Sequence, residues 1–373
     1  MALKKVVYLL EYPIDLPGGA QMSTLSICEG LSAHPEYGYE PVVICPELLS
    51  RRKEDYAFRI LTYPMGEKRI PNLWKRIRYF KKYLQEGDYS LIHIQMSESL
   101  ITYGFIRRFF GKLPYIYTDR GLFFGYRKRS LFFMLPALKR SRMLVTTTDF
   151  NRRLWEEGSK IRPISVIPNT INDKLFGSYD EQRRRGRKHA GFTLGLAGRI
   201  CVEKDWPFAV EFVKALKTAG LDFRVDLVLS TFEKGDDEKV RQITEGIREA
   251  VGEGNLEVHL NHTQEQMADY YYDVDVFLMT SSFESFGKAA LEAMSRKCAV
   301  VSSRAGGLPE VIGKEENLYD RQGFEKGVRY VKMLAENPEK LEKDREFFYN
   351  RYRSLYTEEK YIERHRRLYD EII

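Results

Sequence analysis

Three times in this chain a short apolar run gives way to a loop of small residues and then to a stretch that reads as a helix. Val6-Val7-Tyr8-Leu9-Leu10 leads through Gly18-Gly19 into residues 20–27. The buried-strand pattern of residues 275–280 leads through Ser282-Phe283-Glu284-Ser285-Phe286-Gly287 into residues 288–294. Val301-Ser302-Ser303 leads through Gly306-Gly307 to Pro309, which is suited to open a helix. A fourth apolar strand ends in Gly198-Arg199. Strands that alternate with helical stretches predict parallel α/β layers. At 373 residues the chain is long enough for two domains with full cores.

Composition narrows the classes further. Hydrophobic residues make up 43% and charged residues 30%, as in a soluble globular protein. The longest apolar run, residues 131–138, contains a proline and falls well short of the roughly 18 residues of a membrane-spanning helix. Behind Lys4-Lys5 the apolar run stops at Glu11, too early for a signal peptide. Cys28, Cys45, Cys201 and Cys298 are far apart without zinc spacing, which predicts a reduced, cytoplasmic protein. The six histidines form no metal motif; His259 and His262 read as one buried strand residue and one loop residue. The expected domains are 1–172 and 192–348, joined by a polar linker over 176–191 that carries Arg183-Arg184-Arg185-Gly186-Arg187-Lys188. A final helix over 358–373 places Tyr361, Ile362, Leu368 and Tyr369 on one stripe.

The chemistry-bearing positions cluster in these loops. Glu284 and Glu292 have seven residues between them, one in the loop and one in the helix behind it. A loop that aims backbone N–H groups and a helix start at one point suits an anion, and two flanking carboxylates suit hydroxyl groups. Arg199 offers a planar fork of donors and Lys204 a compact charge, a pair able to neutralise a diphosphate. Gly18-Gly19 allows close approach of backbone to ligand, although it is not the dinucleotide fingerprint and predicts no NAD. Plain structural readings stand beside these: an ordinary tight turn, two solvated cations, and glutamates that merely share an α/β unit. Gly306-Gly307 reads as purely structural.

Together these segments resemble the retaining nucleotide-sugar glycosyltransferases of glycosyltransferase family 4. Glu284 and Glu292 match the family's Glu-x7-Glu motif, Gly198-Arg199 with Glu203-Lys204 its Gly-Arg…Glu-Lys segment, and Pro17-Gly18-Gly19-Ala20-Gln21 its N-terminal glycine loop; Val166-Ile167-Pro168-Asn169 is similar to the segment before its interdomain linker. The resemblance implies an α/β GT-B fold, two Rossmann-like domains whose parallel sheets face each other across a cleft that holds the site, with the last helix crossing back to the first domain. It implies catalytic roles for Glu284, Arg199 and Lys204. Gly18, Gly19, Phe286, Gly287, Lys288 and Glu292 would bind the donor, with Glu292 on the ribose and Phe286 and Gly287 covering the sugar. Gln21 and Arg120 would face the acceptor side. Arg120 follows Asp119 where relatives carry a histidine, and a cation there can grip an anionic group. His262 stands where a glycine is usual beside the nucleobase. The implied donor is a nucleotide sugar, UDP by family frequency, used without a metal or other cofactor and with retention at the anomeric carbon. The implied acceptor is a glycan or lipid-linked molecule of cell-surface polysaccharide or glycolipid synthesis. A nucleotide-sugar epimerase and a non-catalytic scaffold subunit are the alternatives. The scaffold reading predicts loss of Glu284, Arg199 or Lys204, and all three are present.

Charge is unevenly spread. Residues 101–142 hold ten basic residues and one acid, Asp119, interleaved with aromatics, and residues 73–84 read as a basic amphipathic helix. This pattern predicts contact with an anionic membrane surface, peripheral and on the cytoplasmic face, rather than nucleic acid, for which no motif is present. The competing reading buries the aromatics in a core and leaves the cations solvated.

Overall fold

The structure, a computed structural model, describes residues 3–16, 18–66, 69–233 and 235–373. Contacts gather them into two compact units, one running to Thr170 and including Glu358–Ile373, the other Ile171–Thr357. Each is a parallel sheet with helices on both faces.

The first sheet contains β1 (Lys4–Leu9), β2 (Tyr39–Pro46), β3 (Arg59–Tyr63), β4 (Leu91–Ile94), β5 (Tyr115–Thr118), β6 (Met143–Thr146) and β7 (Ile164–Val166), in the order β3-β2-β1-β4-β5-β6-β7. The period-2 alternation of a strand sends neighbours to opposite faces. Val6 and Tyr8 pack with Ile27, Leu31, Tyr361 and Leu368, whereas Val7 and Leu9 pack with Phe80, Leu100, Met134 and Trp155. Both faces are apolar because both are covered. The final helix belongs to this unit, and the Tyr369 hydroxyl lies 2.8 Å from that of Tyr8 and 2.7 Å from Nδ1 of the buried His93.

The second sheet contains β8 (Thr193–Arg199), β9 (Arg224–Ser230), β10 (Leu256–Leu260), β11 (Val276–Met279), β12 (Ala299–Ser303) and β13 (Leu318–Tyr319), in the order β10-β9-β8-β11-β12-β13. Every strand pair in both sheets is parallel. In each sheet the strand order reverses once, between β1 and β4 and between β8 and β11. The loops leaving the carboxyl ends there diverge and open a crevice.

Two expectations change. The segment read as a polar linker is folded onto the second unit. The Arg184 guanidinium is buried and donates to the carbonyls of Tyr272 (2.8 Å) and Val274 (2.7 Å) and to Asp275 (3.2 Å). Arg183 bonds Asp269 and Asp273, and Arg187 bonds Asp275 at 2.6 Å. Its partners lie almost ninety residues away, so apolar periodicity could not report a burial built from ion pairs. His259 and His262 are both half-buried and in contact with each other, ring centroids 4.5 Å apart and planes tilted by 38°.

Candidate functional site

The loops after β8 and β11 leave the second sheet side by side at its reversal point and are stitched together. The Ser282 N–H donates to the Glu203 carbonyl at 2.9 Å, and the Thr280 hydroxyl donates to the Lys204 carbonyl at 3.2 Å. Across this seam the Lys204 ammonium donates to Glu284 Oε2 at 2.9 Å, with side-chain exposures of 19% and 20%. A partly dry ion pair of this geometry orders both side chains yet leaves each reachable from solvent. Gly198 makes room for it, since a Cβ there would lie 3.2 Å from Lys204 Cε. A small cleft lined by Leu196, Ala197, Lys204, Leu278, Met279 and Thr280 opens beside the pair.

Glu284 is held from behind by the glycine turn that the sequence presents as structural. The Gly307 N–H donates to the Glu284 carbonyl at 2.9 Å, and a Cβ on Gly306 (φ +59°) would sit 2.0 Å from that oxygen. The turn therefore positions the carboxylate-bearing loop. Gly287 (φ +96°) caps the helix Lys288–Ser295, which carries Lys288 in its first turn and Glu292 in its second. The half-buried Glu292 carboxylate accepts a 3.0 Å bond from the Tyr271 hydroxyl. Burial pushes its pKa up, opposed by that bond and by the charges of Lys288 and Lys204. The two glutamates are thus different groups: Glu284 is paired to a cation and Glu292 to a phenol.

Arg199 ends β8 with its side chain exposed, and its carbonyl accepts from the Trp206 indole at 2.9 Å. Phe286 departs from its expected role. The residue is 2% exposed and its ring meets Tyr356 edge-on, 5.9 Å between centroids, so the ring is taken up by the core. The apolar environment of the helix behind the loop claims the ring.

In the first unit, Pro17 of the glycine loop lies outside the described residues. Gly18 is extended, and its carbonyl accepts the Met22 N–H at 3.0 Å as the helix Gly19–Ala33 begins. The buried Gln21 side chain folds back on Gly18, so that a Cβ there would meet its oxygen at 2.5 Å. Arg120 is half-buried and donates to Asn169, to Gln95 (2.8 Å) and to the Tyr361 hydroxyl (3.0 Å). These partners are neutral, and its Nε has no partner among the described residues. Sequence reasoning missed Glu11. Just past β1, beside the first sheet's reversal point, its buried carboxylate accepts the Ser99 N–H at 2.8 Å, and burial raises its pKa to about 7. An acid placed directly behind the apolar run Val6-Val7-Tyr8-Leu9-Leu10 was the available signal.

Among the described residues one grouping of three possible metal ligands occurs. Asp226 on β9 and Glu257 and His259 on β10 bring their ligand atoms within 4.8 Å of one another. It includes neither Glu284 nor Lys204.

Comparison with known proteins supplies the family. The profile described as Glycosyltransferase Family 4 matches residues 17–175, and that described as Glycosyl transferases group 1 matches residues 180–355. Among curated relatives, 2-deoxystreptamine glucosyltransferase of Streptomyces kanamyceticus is 28% identical over 48% of this chain and 46% of its own length. An uncharacterized 41.2 kDa protein in the cps region of Klebsiella pneumoniae is 23% identical over 86% of this chain and 90% of its own. The chain spans about half the length of the first curated relatives it matches. Sucrose-phosphate synthase from Thermosynechococcus elongatus superposes with a TM-score of 0.83 at 18% identity, covering 99% of both chains. Anabaena HepE in complex with UDP and glucose superposes with a TM-score of 0.79 at 14% identity, covering 99% of this chain and 100% of its own. Matched in both units and sharing the GT-B architecture of these neighbours, the chain belongs to the family 4 type of glycosyltransferases.

Proposed function

We propose that this chain transfers a glycosyl residue from a nucleotide sugar, with UDP as the carrier, to a glycan or lipid-linked acceptor in the assembly of cell-surface polysaccharide or glycolipid. The observation that carries the reading is the Lys204–Glu284 pair, set at 2.9 Å where β8 and β11 diverge. Departure of a nucleoside diphosphate concentrates negative charge on its phosphates, and fixed donors aimed at that charge lower the barrier most. Arg199 at the end of β8 and Lys204 in the loop that follows it supply two cations, and the start of the helix Lys288–Ser295 adds a favourable dipole end. With the chain's own cations in that role, the transfer runs without a metal. Glu284 holds hydroxyls of the donor sugar close to the anomeric carbon as it becomes cation-like, and Glu292 accepts from the ribose. Configuration is retained by front-face attack, the departing phosphate taking the acceptor's proton. That HepE was crystallised with UDP and glucose supports the choice of nucleotide.

Thermal unfolding with UDP, GDP and ADP in parallel tests the donor site. A ligand at about 100 times its Kd adds roughly 2.7 kcal/mol, which moves the midpoint by about 5–10 °C in a unit of this size. The expected result is a shift with UDP that Arg199→Ala abolishes. No shift with any nucleotide refutes the site, and a shift with UDP but release of an altered nucleotide sugar in the absence of acceptor would favour an epimerase.

A further inference from the structure

The helices Arg69–Glu86, Ser97–Ile106 and Lys128–Leu138 cover one face of the first sheet and pack side by side. Their inward residues, among them Phe80, Leu84, Leu100, Tyr103, Met134 and Leu138, complete the core. Their outward residues include aromatics the core does not use. Phe132 is 72% exposed and Trp74 67%, Phe105 and Phe133 are also exposed, and so is Phe109 in the turn that follows Ser97–Ile106. Three of these rings are neighbours: Phe133 lies 5.3 Å from Phe132 and 6.2 Å from Phe105, between centroids. Cations share the surface. Lys81 lies 4.1 Å above the Phe109 ring and Arg108 5.0 Å from it, while Arg78, Lys112, Arg127, Lys128, Arg129, Lys139 and Arg140 are exposed. Helical spacing puts Trp74, Arg78 and Lys81 on one stripe, and Arg129, Phe132 and Phe133 on another. The one acid of residues 101–142, Asp119, is buried and accepts from Trp155 at 2.6 Å and from Tyr126 and Asn151, so it is not among the exposed groups of this face.

We propose that this three-helix face docks on an anionic lipid bilayer, the aromatic rings entering the interface and the cations meeting lipid phosphates. Exposed rings without a core function, ringed by cations, match a surface that is apolar just below a layer of negative charge. A duplex RNA would be gripped by the same cations, but its bases are already stacked inside the helix and it offers no apolar layer for Phe132, Phe133 and Phe105. This inference concerns the first unit alone and stands apart from the donor chemistry, so its failure leaves the transferase reading intact.

The test is flotation of the full chain with phosphatidylcholine vesicles, with and without phosphatidylglycerol, at about 0.1 M and 1 M salt, where the screening length falls from about 10 Å to 3 Å. Expected is binding only to the anionic vesicles, lost at high salt. Each cation removed weakens it about fivefold, so Lys128→Ala with Arg129→Ala costs about 25-fold. Phe132→Ser weakens binding as well. All three side chains are exposed, so the unfolding midpoint should hold; if a variant unfolds, the lipid and salt series on the unaltered chain still decides. Equal binding to neutral vesicles, no binding to either, variants that bind as the parent does, or binding to duplex RNA in place of vesicles would overturn the proposal.

Discussion

Gly306→Ala separates backbone strain from damage to the site, because Gly220 provides a matched control. Both glycines have positive φ, +59° and +80°. An alanine in that region costs about 1–2 kcal/mol whatever its surroundings. At Gly220 nothing lies within 4 Å of an added Cβ, so strain is the whole cost. At Gly306 the Cβ would stand 2.0 Å from the Glu284 carbonyl oxygen, a backbone atom that cannot rotate away. The two segments must part by an ångström or more, which breaks the Gly307–Glu284 bond and adds about 1–3 kcal/mol for the buried groups left unpaired. The expected losses are about 1–2 kcal/mol for Gly220→Ala and about 2–5 kcal/mol for Gly306→Ala. At roughly 2–4 °C per kcal/mol, the extra cost of about 1–3 kcal/mol should set the unfolding midpoints of the two variants about 2–12 °C apart. The second readout is the nucleotide-induced shift. Gly220→Ala should keep it, whereas Gly306→Ala should lose most of it, because displacing Glu284 releases the ammonium of Lys204. Equal stability losses, or a full nucleotide shift in Gly306→Ala, would refute the view that the Gly306-Gly307 turn positions the site.

Other consequences are equally open to measurement. Arg184→Ala should cost about 3–5 kcal/mol in chemical denaturation, since two carbonyls and Asp275 lose a buried partner, while the exposed neighbour Arg185→Ala should stay within about 0.5 kcal/mol. Glu11 has a folded pKa of about 7, above its unfolded 4.5, so the stability it contributes is complete below about pH 4.5 and is lost as pH rises through 7. Its charged form therefore costs about 3 kcal/mol at pH 8.5. Glu11→Gln should gain on the parent by that order between pH 4 and pH 8.5, and a pH-independent difference between the two would contradict the burial argument. Tyr271→Phe should weaken the hold on Glu292 and lower nucleotide affinity several-fold in titration calorimetry, with the fold unchanged by circular dichroism.

Much was legible in the chain itself. Short apolar runs alternating with helical stretches committed it to parallel α/β layers, because only strands covered on both faces can be apolar at consecutive positions. The loops that follow two of those runs placed Arg199, Lys204, Glu284 and Glu292 correctly at strand ends and a helix start. Chain order alone decides which loop follows which strand, so these positions could be read locally. What tertiary structure decided was contact between residues far apart in sequence. It paired Lys204 with Glu284, 80 residues on, and Glu292 with Tyr271. It turned the Gly306-Gly307 turn from a plain connection into the support behind Glu284, took the Phe286 ring into the core, and folded the basic stretch around Arg184 onto carboxylates and carbonyls almost ninety residues away. It also settled which aromatics of residues 101–142 are core and which are surface, a question periodicity leaves open because a helix pattern shows that a stripe is apolar but not what covers it. Local propensity and spacing depend on neighbours along the chain. Ion pairing, burial and close approach depend on neighbours in space, and these exist only once the sheets have formed.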